Sequence, residues 1–194
     1  MKYPYLKVIY KYQFLDQDNI MGFKGYHKTN PLNRGFKERT ICNDLSTFLE
    51  TEHNIQPIVG KQIDGGKSKR RPDIFIQLET HCLIVEIDER QHRGYSDDSA
   101  RVTDLINDLK DCKLVLIRFN PDAYKDITKV KRRSLFTKTR GDRIYQIGCP
   151  IKYNERMDML NRVVRFHLLN DPENAFTECK LYYDKFDSSN LFRL

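Results

Sequence analysis

Apolar residues recur in the middle of the chain first with a helical period and then in short, continuous runs. Residues 36–50 carry apolar side chains at helical spacing with charges between them, which predicts a first helix that ends before His53. The runs at 74–78 and 82–87 are rich in β-branched residues and are joined by a short polar connector. These two runs are therefore predicted to pair as a β-hairpin.

The neighbouring segments extend this pattern into a layered domain. A short strand at 55–62 and a turn at 64–66 precede the hairpin, and the apolar positions within 102–109 predict a second amphipathic helix. A further buried strand at 114–119 is stopped by Pro121. A helix between two buried strands implies a crossover connection. The sequence thus predicts an α/β fold of order αβββαβ, with a mixed central sheet flanked by helices on both faces.

Signals outside this core are weaker. The first twenty residues favour a strand, residues 21–34 a loop, residues 125–141 a mobile basic loop, residues 143–148 a strand and residues 154–169 a helix, while the last twenty give little signal. We expect a single folded unit with three segments: an N-terminal strand and basic loop at 1–34, the core at 35–150, and a C-terminal helix and tail at 151–194.

The charge distribution adds a first functional indication. The chain has 194 residues, 39% of them hydrophobic, and a formal net charge of +7, which favours a polyanionic partner. Residues 1–72 hold 13 Lys and Arg against 7 Asp and Glu, residues 73–120 hold 6 against 10, and residues 121–194 hold 15 against 10. An acidic middle between basic flanks suggests that its carboxylates have a role of their own, such as holding a metal ion.

Several classes of protein are not expected. The chain has no run of roughly 20 apolar residues and no signal-peptide pattern, so we expect an intracellular protein of the cytoplasm, the nucleus or a viral factory, neither secreted nor bound to a membrane. The five cysteines include no close pair, which argues against a zinc knuckle, a redox motif or a disulfide framework.

Three carboxylates stand at the ends of the hairpin strands. Asp73 begins one strand, whereas Glu86 and Asp88 close the next and lie on one side of it because they are two residues apart. We expect all three to converge at one end of the sheet, where their repulsion favours a divalent cation. Oxygen ligands select Mg²⁺, with Mn²⁺ as an alternative, over zinc. The competing interpretation, solvated acids at strand ends, does not explain why Glu86 interrupts an apolar run.

The residues that follow supply further candidates. His92 lies four positions past Asp88 and could act as a general base or as a donor to a scissile phosphate. Arg101, in the first turns of the second helix, could meet a phosphate oxygen. Asp98 could cap that helix or orient His92.

Two basic clusters flank the acidic segment. Lys67, Lys69, Arg70 and Arg71 directly precede Asp73, and a second cluster between 129 and 143 includes Lys131, Arg132 and Arg133. Each cluster taken alone could be a solvated surface. Together they are predicted to hold a nucleic-acid backbone, through contacts that weaken with salt and carry no sequence information.

The ordered motifs resemble a known family. The chain reads FKER at 36–39, RPD at 71–73, VEIDERQH at 85–92, DSAR at 98–101 and LIRFNPD at 116–122. This set resembles the very-short-patch-repair-like branch of the PD-(D/E)XK nuclease superfamily and is similar to uncharacterised proteins of that branch from large DNA viruses and algae. The resemblance covers roughly residues 35–122, and it implies the restriction-endonuclease-like form of the αβββαβ core.

The resemblance also implies roles for single residues. Asp73 and Glu86 would be metal ligands together with the main-chain carbonyl of Ile87, and His92 would activate or position the attacking water. Asp88 stands where the superfamily usually has a lysine, which leaves water activation to His92, to Gln91 or to a second metal ion. Glu38 would approach the site from the first helix; alternatively it is an exposed first-turn acid that favours the helix dipole.

These patterns predict a Mg²⁺-dependent DNA endonuclease that nicks or cuts duplex DNA. Two alternatives stay open. One is a nucleic-acid-binding protein on a nuclease-like fold that has lost catalysis, and the other is a ribonuclease of the same architecture. Both a monomer and a homodimer are compatible with the sequence.

Overall fold

The computed structural model describes residues 35–92, 97–110, 112–139, 144–188 and residue 191. The strand and loop predicted within 1–34 lie outside these residues. Three helices and nine strands are described: α1 (Phe36–His53), β1 (Ile58–Val59), β2 (Ile74–Gln77), β3 (His81–Ile87), α2 (Asp98–Asp108), β4 (Lys113–Phe119), β5 (Tyr124–Lys125), β6 (Lys131–Arg132), β7 (Phe136–Lys138), β8 (Tyr145–Ile147), α3 (Pro150–Leu169) and β9 (Phe176–Leu181).

Five of the strands form one mixed sheet in the order β1-β2-β3-β4-β9. Strand β2 pairs antiparallel with both β1 and β3, which is the predicted hairpin arrangement. Strand β4 runs parallel to β3 after the crossover through α2, and β9 runs parallel to β4. The predicted α/β class with a mixed central sheet is confirmed.

Helices cover the sheet on both faces, as the sequence predicts. Alternate side chains of β3 divide between two cores: Leu83 and Val85 pack with the cluster that includes α1 and α3, and Cys82 and Ile84 pack with the cluster that includes α2. This alternation follows from the two-residue period of a strand. Within the described residues, no helix is long and apolar enough to cross a membrane.

Two helix boundaries differ from the prediction. Helix α1 continues through His53, because Asn54 adopts the left-handed conformation that ends a helix and its N–H bonds the Glu50 carbonyl. Helix α3 begins at Pro150, four residues before the predicted start, because proline is well tolerated in the first turn of a helix.

In its described part, residues 125–139, the segment expected to be a mobile basic loop contains short strands instead. Strand β5 pairs with β6, and β7 pairs with β8, each antiparallel. Phe136 of β7 is buried and makes edge contacts with the rings of Phe36 and Tyr153, which fixes this segment to α1 and α3. The end of the chain, where the sequence signal is weak, supplies β9.

Candidate active site

The hairpin brings Asp73 and Glu86 to one cavity. Asp73 directly precedes β2, and the next residue, Ile74, pairs with Val85 of β3, so Asp73 lies across from Glu86. The carboxylate of Asp73 accepts a hydrogen bond from the Ile87 N–H at 2.6 Å. A cavity of about 230 Å³ is lined by Glu38, Arg70, Asp73, Glu86, Ile87, Asp97, Asp98 and Arg101.

Glu86 is buried beside the guanidinium of Arg101. Its side chain interrupts the apolar β3 at the α2 face and is only 5% exposed. Nη2 of Arg101 lies 2.8 Å from each carboxylate oxygen of Glu86 and donates a further hydrogen bond to the Arg71 carbonyl at 3.2 Å. The structure therefore places Arg101 at the predicted site, where its charge offsets that of Glu86.

Asp73 has an unusual proton affinity. Burial and, after it, the nearby Glu86 carboxylate raise its pKa to about 8, although the hydrogen bond from the Ile87 N–H acts in the opposite direction. Because the raised pKa reflects a carboxylate held close to another in a poorly solvated place, the cavity favours a bound cation or a bound proton.

This raised pKa makes the stability of the metal-free protein depend on pH. The pKa of Asp73 is about 8 in the folded protein against an ordinary 3.8. The stability that protonation of Asp73 contributes is therefore fully present below pH 3.8 and is lost as the pH rises toward 8. The free energy of unfolding should fall over this range by at most about 1.4 kcal/mol per pH unit. Urea unfolding in EDTA at several pH values measures this slope, and Asp73→Asn should flatten it. If the slope is unchanged in that variant, Asp73 is not the group that makes stability depend on pH.

Asp88 does not join the other two carboxylates, which corrects the expectation that all three converge. It is fully buried, and its carboxylate accepts hydrogen bonds from Nε of Arg118 on β4 and from the Tyr183 hydroxyl. The physical reason is that a buried guanidinium on the adjacent strand is a stronger partner for Asp88 than a cavity lined by other acids.

Asp98 belongs to the same network. Its two carboxylate oxygens accept hydrogen bonds from Nη1 and Nη2 of Arg118 at 2.7 Å, and it also lines the cavity. Helix α2 begins at Asp98 with Asp97 in the N-cap position. The interpretation of Asp98 as the cap is thus wrong, and its position links the cavity to the buried Arg118.

The backbone after Asp88 has an unusual conformation. Arg90 and Gln91 of the 3₁₀ segment Glu89–His92 both have positive φ, at 57° and 58°. The Gln91 amide donates to Asp184 and accepts from the Asp184 N–H, at 3.2 and 3.1 Å. The side chain of His92 lies outside the described residues, so its predicted role stays a prediction.

Glu38 reaches the cavity from the first turn of α1. Its side chain is exposed, and burial of part of the carboxylate together with the charge of Glu89 raises its pKa. Both expectations for Glu38 therefore describe its position: it is a first-turn acid and it lines the candidate site.

The first basic cluster is attached to α2. Asp108 is buried at the end of this helix and accepts hydrogen bonds from the N–H groups of Lys67 and Ser68, at 2.7 and 2.8 Å, and from the Ser68 hydroxyl. Arg70 donates to Asp104 at 2.9 Å and to Asp97 at 3.0 Å. Lys67, Lys69 and Arg71 are exposed. Asp108 thus fixes the cluster at one wall of the cavity.

Removing this attachment should release the basic cluster. We expect Asp108→Ala to lower the free energy of unfolding by about 2 kcal/mol, because it leaves two main-chain N–H groups without their acceptor. Trypsin cleavage at the exposed lysines should become faster in the folded protein, as monitored by mass spectrometry. The exposed Asp64→Ala, in the neighbouring turn, is the control; equal cleavage of both variants would contradict the role of Asp108.

The second basic cluster lies on β6 and the residue after it. Lys131, Arg132 and Arg133 are all exposed, and Arg132 forms an ion pair with Asp126 at 2.6 Å. Residues 140–143 lie outside the described residues.

Sequence reasoning missed the structural importance of Arg118, Asp108 and Tyr183. For Arg118 a signal was available, since this charge interrupts the apolar β4 just as Glu86 interrupts β3, and the two residues are paired in the parallel register. No local pattern marks Asp108 or Tyr183, whose partners lie 40 and 95 positions away in the chain.

The described residues contain no group of three or more His, Cys, Asp or Glu side chains placed to hold a metal ion. Comparisons of the chain with protein-family models, with curated proteins and with solved structures find no match.

Proposed function

We propose that this protein is a Mg²⁺-dependent endonuclease that hydrolyses phosphodiester bonds of duplex DNA. The observation that carries the proposal is the pairing of Asp73 and Glu86 across the hairpin in one cavity, with the pKa of Asp73 raised to about 8. Two acids kept close together at a poorly solvated strand end have a stability cost that binding of a divalent cation offsets.

The donor set fits a hard cation. Asp73, Glu86 and the main-chain carbonyl of Ile87 would hold it, and all three supply oxygen ligands. When bound, the ion lowers the pKa of a water molecule and neutralises charge on the phosphate. Five carboxylates and two arginines, Arg70 and Arg101, line the cavity, so it retains negative character.

The other residues of the cavity have distinct roles in this proposal. Arg101 holds Glu86 in place and is near enough to the cavity to donate to a phosphate oxygen once a cation shares the Glu86 charge. Asp98 fixes the start of α2, and so the position of Arg101, through its ion pair with Arg118. Lys67, Lys69 and Arg71 are exposed beside the cavity and would contact the DNA backbone.

The restriction-endonuclease-like form of the fold is part of the same proposal. Its support is the order α1-β1-β2-β3-α2-β4, which matches the αβββαβ core that the sequence resemblance implies. The acidic pair lies at the end of the β2-β3 hairpin, where the motifs of that family place their carboxylates.

The proposal is tested with supercoiled plasmid, linear duplex, mismatched duplex and RNA, each with Mg²⁺, with Mn²⁺ and with EDTA. We expect nicked or linear plasmid in the presence of either cation, with no product in EDTA. Product topology distinguishes nicking from double-strand cleavage, and sedimentation of the same sample gives the oligomeric state. Cleavage of RNA but not of DNA would select the ribonuclease, and cleavage in EDTA would contradict the proposal.

A second candidate function is a nucleic-acid-binding protein without catalysis. It is favoured by one observation: Asp88, at the position of the superfamily's usual lysine, is engaged by Arg118 and Tyr183 and does not line the cavity. Duplex binding that persists in EDTA, without cleavage in Mg²⁺ or Mn²⁺, would select this function.

A further inference from the structure

A second, larger cavity lies at the carboxyl ends of β4 and β9, beside the first turn of α3. Its volume is about 640 Å³, which falls in the range of small-molecule sites. Five of its lining side chains are cations and two are carboxylates. The carboxylates already have cationic partners, because Asp126 pairs with Arg132 and Glu155 pairs with Lys152.

Arg156 of α3 lines this cavity and is only 7% exposed. Its guanidinium donates to the carbonyl oxygens of Arg133 at 2.7 Å and of Asp122 at 3.2 Å. It also lies over the rings of Tyr124 and Tyr182, with 4.9 and 4.8 Å to the ring centroids. Carbonyl and aromatic contacts of this kind hold a guanidinium in a fixed orientation.

Arg156 differs from Arg118, the buried arginine of β4 that binds Asp98 of α2, in how its charge is neutralised. Arg118 has ion pairs with three carboxylates, whereas no ion pair joins Arg156 to any carboxylate of the described ranges. Burial lowers the pKa of Arg156, with the tyrosines and Asp122 acting in the opposite direction. A buried cation that is neutralised only by dipoles and rings is stabilised further by an anion that reaches it.

The rim of the cavity reinforces this preference for an anion. Arg133 and Lys152 are exposed at the rim, and Cys149, the residue that precedes α3, also lines the cavity. The beginning of a 20-residue helix carries partial positive charge, which favours a phosphate group. The buried guanidinium, the rim cations and the helix start therefore act on the same volume.

We propose that this cavity binds a nucleotide, with its phosphate group directed to Arg156 and its base in the remaining space beside the aromatic wall. The volume exceeds what a phosphate alone fills, and Tyr124, Phe136 and Tyr182 supply flat apolar surface. The nucleotide is either free or part of a strand, since both present the same phosphate chemistry. The proposal does not depend on the nuclease activity, because none of its residues lines the Asp73–Glu86 cavity.

The test is isothermal titration calorimetry of the full chain in EDTA, where metal-dependent cleavage cannot contribute. The probes are deoxyadenosine monophosphate, deoxyadenosine and inorganic phosphate, followed by a short single strand with and without a 5′-phosphate. The cavity variant carries Arg133→Gln and Lys152→Gln. Its matched control carries Arg165→Gln and Lys61→Gln, which removes the same charge at exposed positions outside the cavity.

We expect the monophosphate to bind at least ten-fold more tightly than the nucleoside. The affinity for the monophosphate should fall at least five-fold in the cavity variant and change less than two-fold in the control. Arg156→Lys, which keeps the charge but loses the planar group, should lower the affinity for the monophosphate as much as the cavity variant does. If the 5′-phosphorylated strand binds more tightly than the monophosphate and loses affinity in the same variants, the site binds the end of a strand. Equal binding of nucleotide and nucleoside, or equal losses in the cavity variant and its control, would overturn the proposal.

Discussion

Asp73→Asn should abolish Mg²⁺-dependent cleavage while leaving the metal-free protein at least as stable as the wild type near pH 8. The variant keeps an oxygen that can accept the Ile87 N–H but loses the charge that the cation needs. We expect a loss of about 10³-fold in the cleavage rate, the upper end of the effect that follows removal of one preorganised electrostatic group.

The stability of the same variant separates a functional carboxylate from a structural one. Because burial and Glu86 raise the pKa of Asp73 to about 8, ionising it in the metal-free protein is costly, and a neutral side chain removes that cost. Activity and stability should therefore change in opposite directions, a pattern typical of sites that retain strain for function. Urea unfolding in EDTA and plasmid cleavage in Mg²⁺, on the same preparation, measure the two quantities.

Two controls make this prediction specific. Asp64→Asn removes an exposed acid from a nearby turn and should change neither cleavage nor stability. Glu86→Gln should lose cleavage to a similar extent but should also lose stability, since it leaves Arg101 without its carboxylate partner. Cleavage by Asp73→Asn within ten-fold of the wild type would show that the Asp73–Glu86 cavity is not the active site.

The sequence predicts the sheet and its helices well, because periodicity reports burial directly. The β2-β3 hairpin, α2 and the parallel β4 all follow from apolar spacing, and the hairpin register then places Asp73 across from Glu86. The strand β9 is harder to predict, since its exposed and half-buried residues alternate with only Leu181 fully buried. An edge strand with one solvated face has a weak hydrophobic signal.

The candidate site is predictable only in part, for a different reason. Spacing along a strand places Glu86 and Asp88 on the same side, but it does not show which cation each will meet. Arg101 lies on α2 and binds Glu86, whereas Arg118 lies on β4 and binds Asp88. The ion pair with Arg118 holds Asp88 outside the cavity. Ion-pair choice is a tertiary property, and it separates two carboxylates that the sequence groups together.

The Arg118 network gives the largest expected effect on stability. Arg118 is 4% exposed and forms ion pairs with Asp88, Asp98 and Glu178. Burial acts to lower the pKa of Arg118, but hydrogen bonds to Asp98 and Asp88 outweigh it and raise the pKa. Arg118→Met leaves the fully buried Asp88 without this cation, and we expect it to lower the free energy of unfolding by about 3–5 kcal/mol.

A double-mutant cycle tests whether Asp88 serves this network. Asp88→Asn alone should cost about 3 kcal/mol, and the double variant with Arg118→Met should cost less than the sum of the two single changes by at least about 1 kcal/mol. Arg165→Met, which removes an exposed ion pair with Glu52, should cost at most about 1 kcal/mol and serves as the control. Additive single changes would show that Asp88 and Arg118 are not coupled. Cleavage per folded molecule should survive Asp88→Asn, because this carboxylate holds β3 to β4 and does not line the cavity where hydrolysis is proposed.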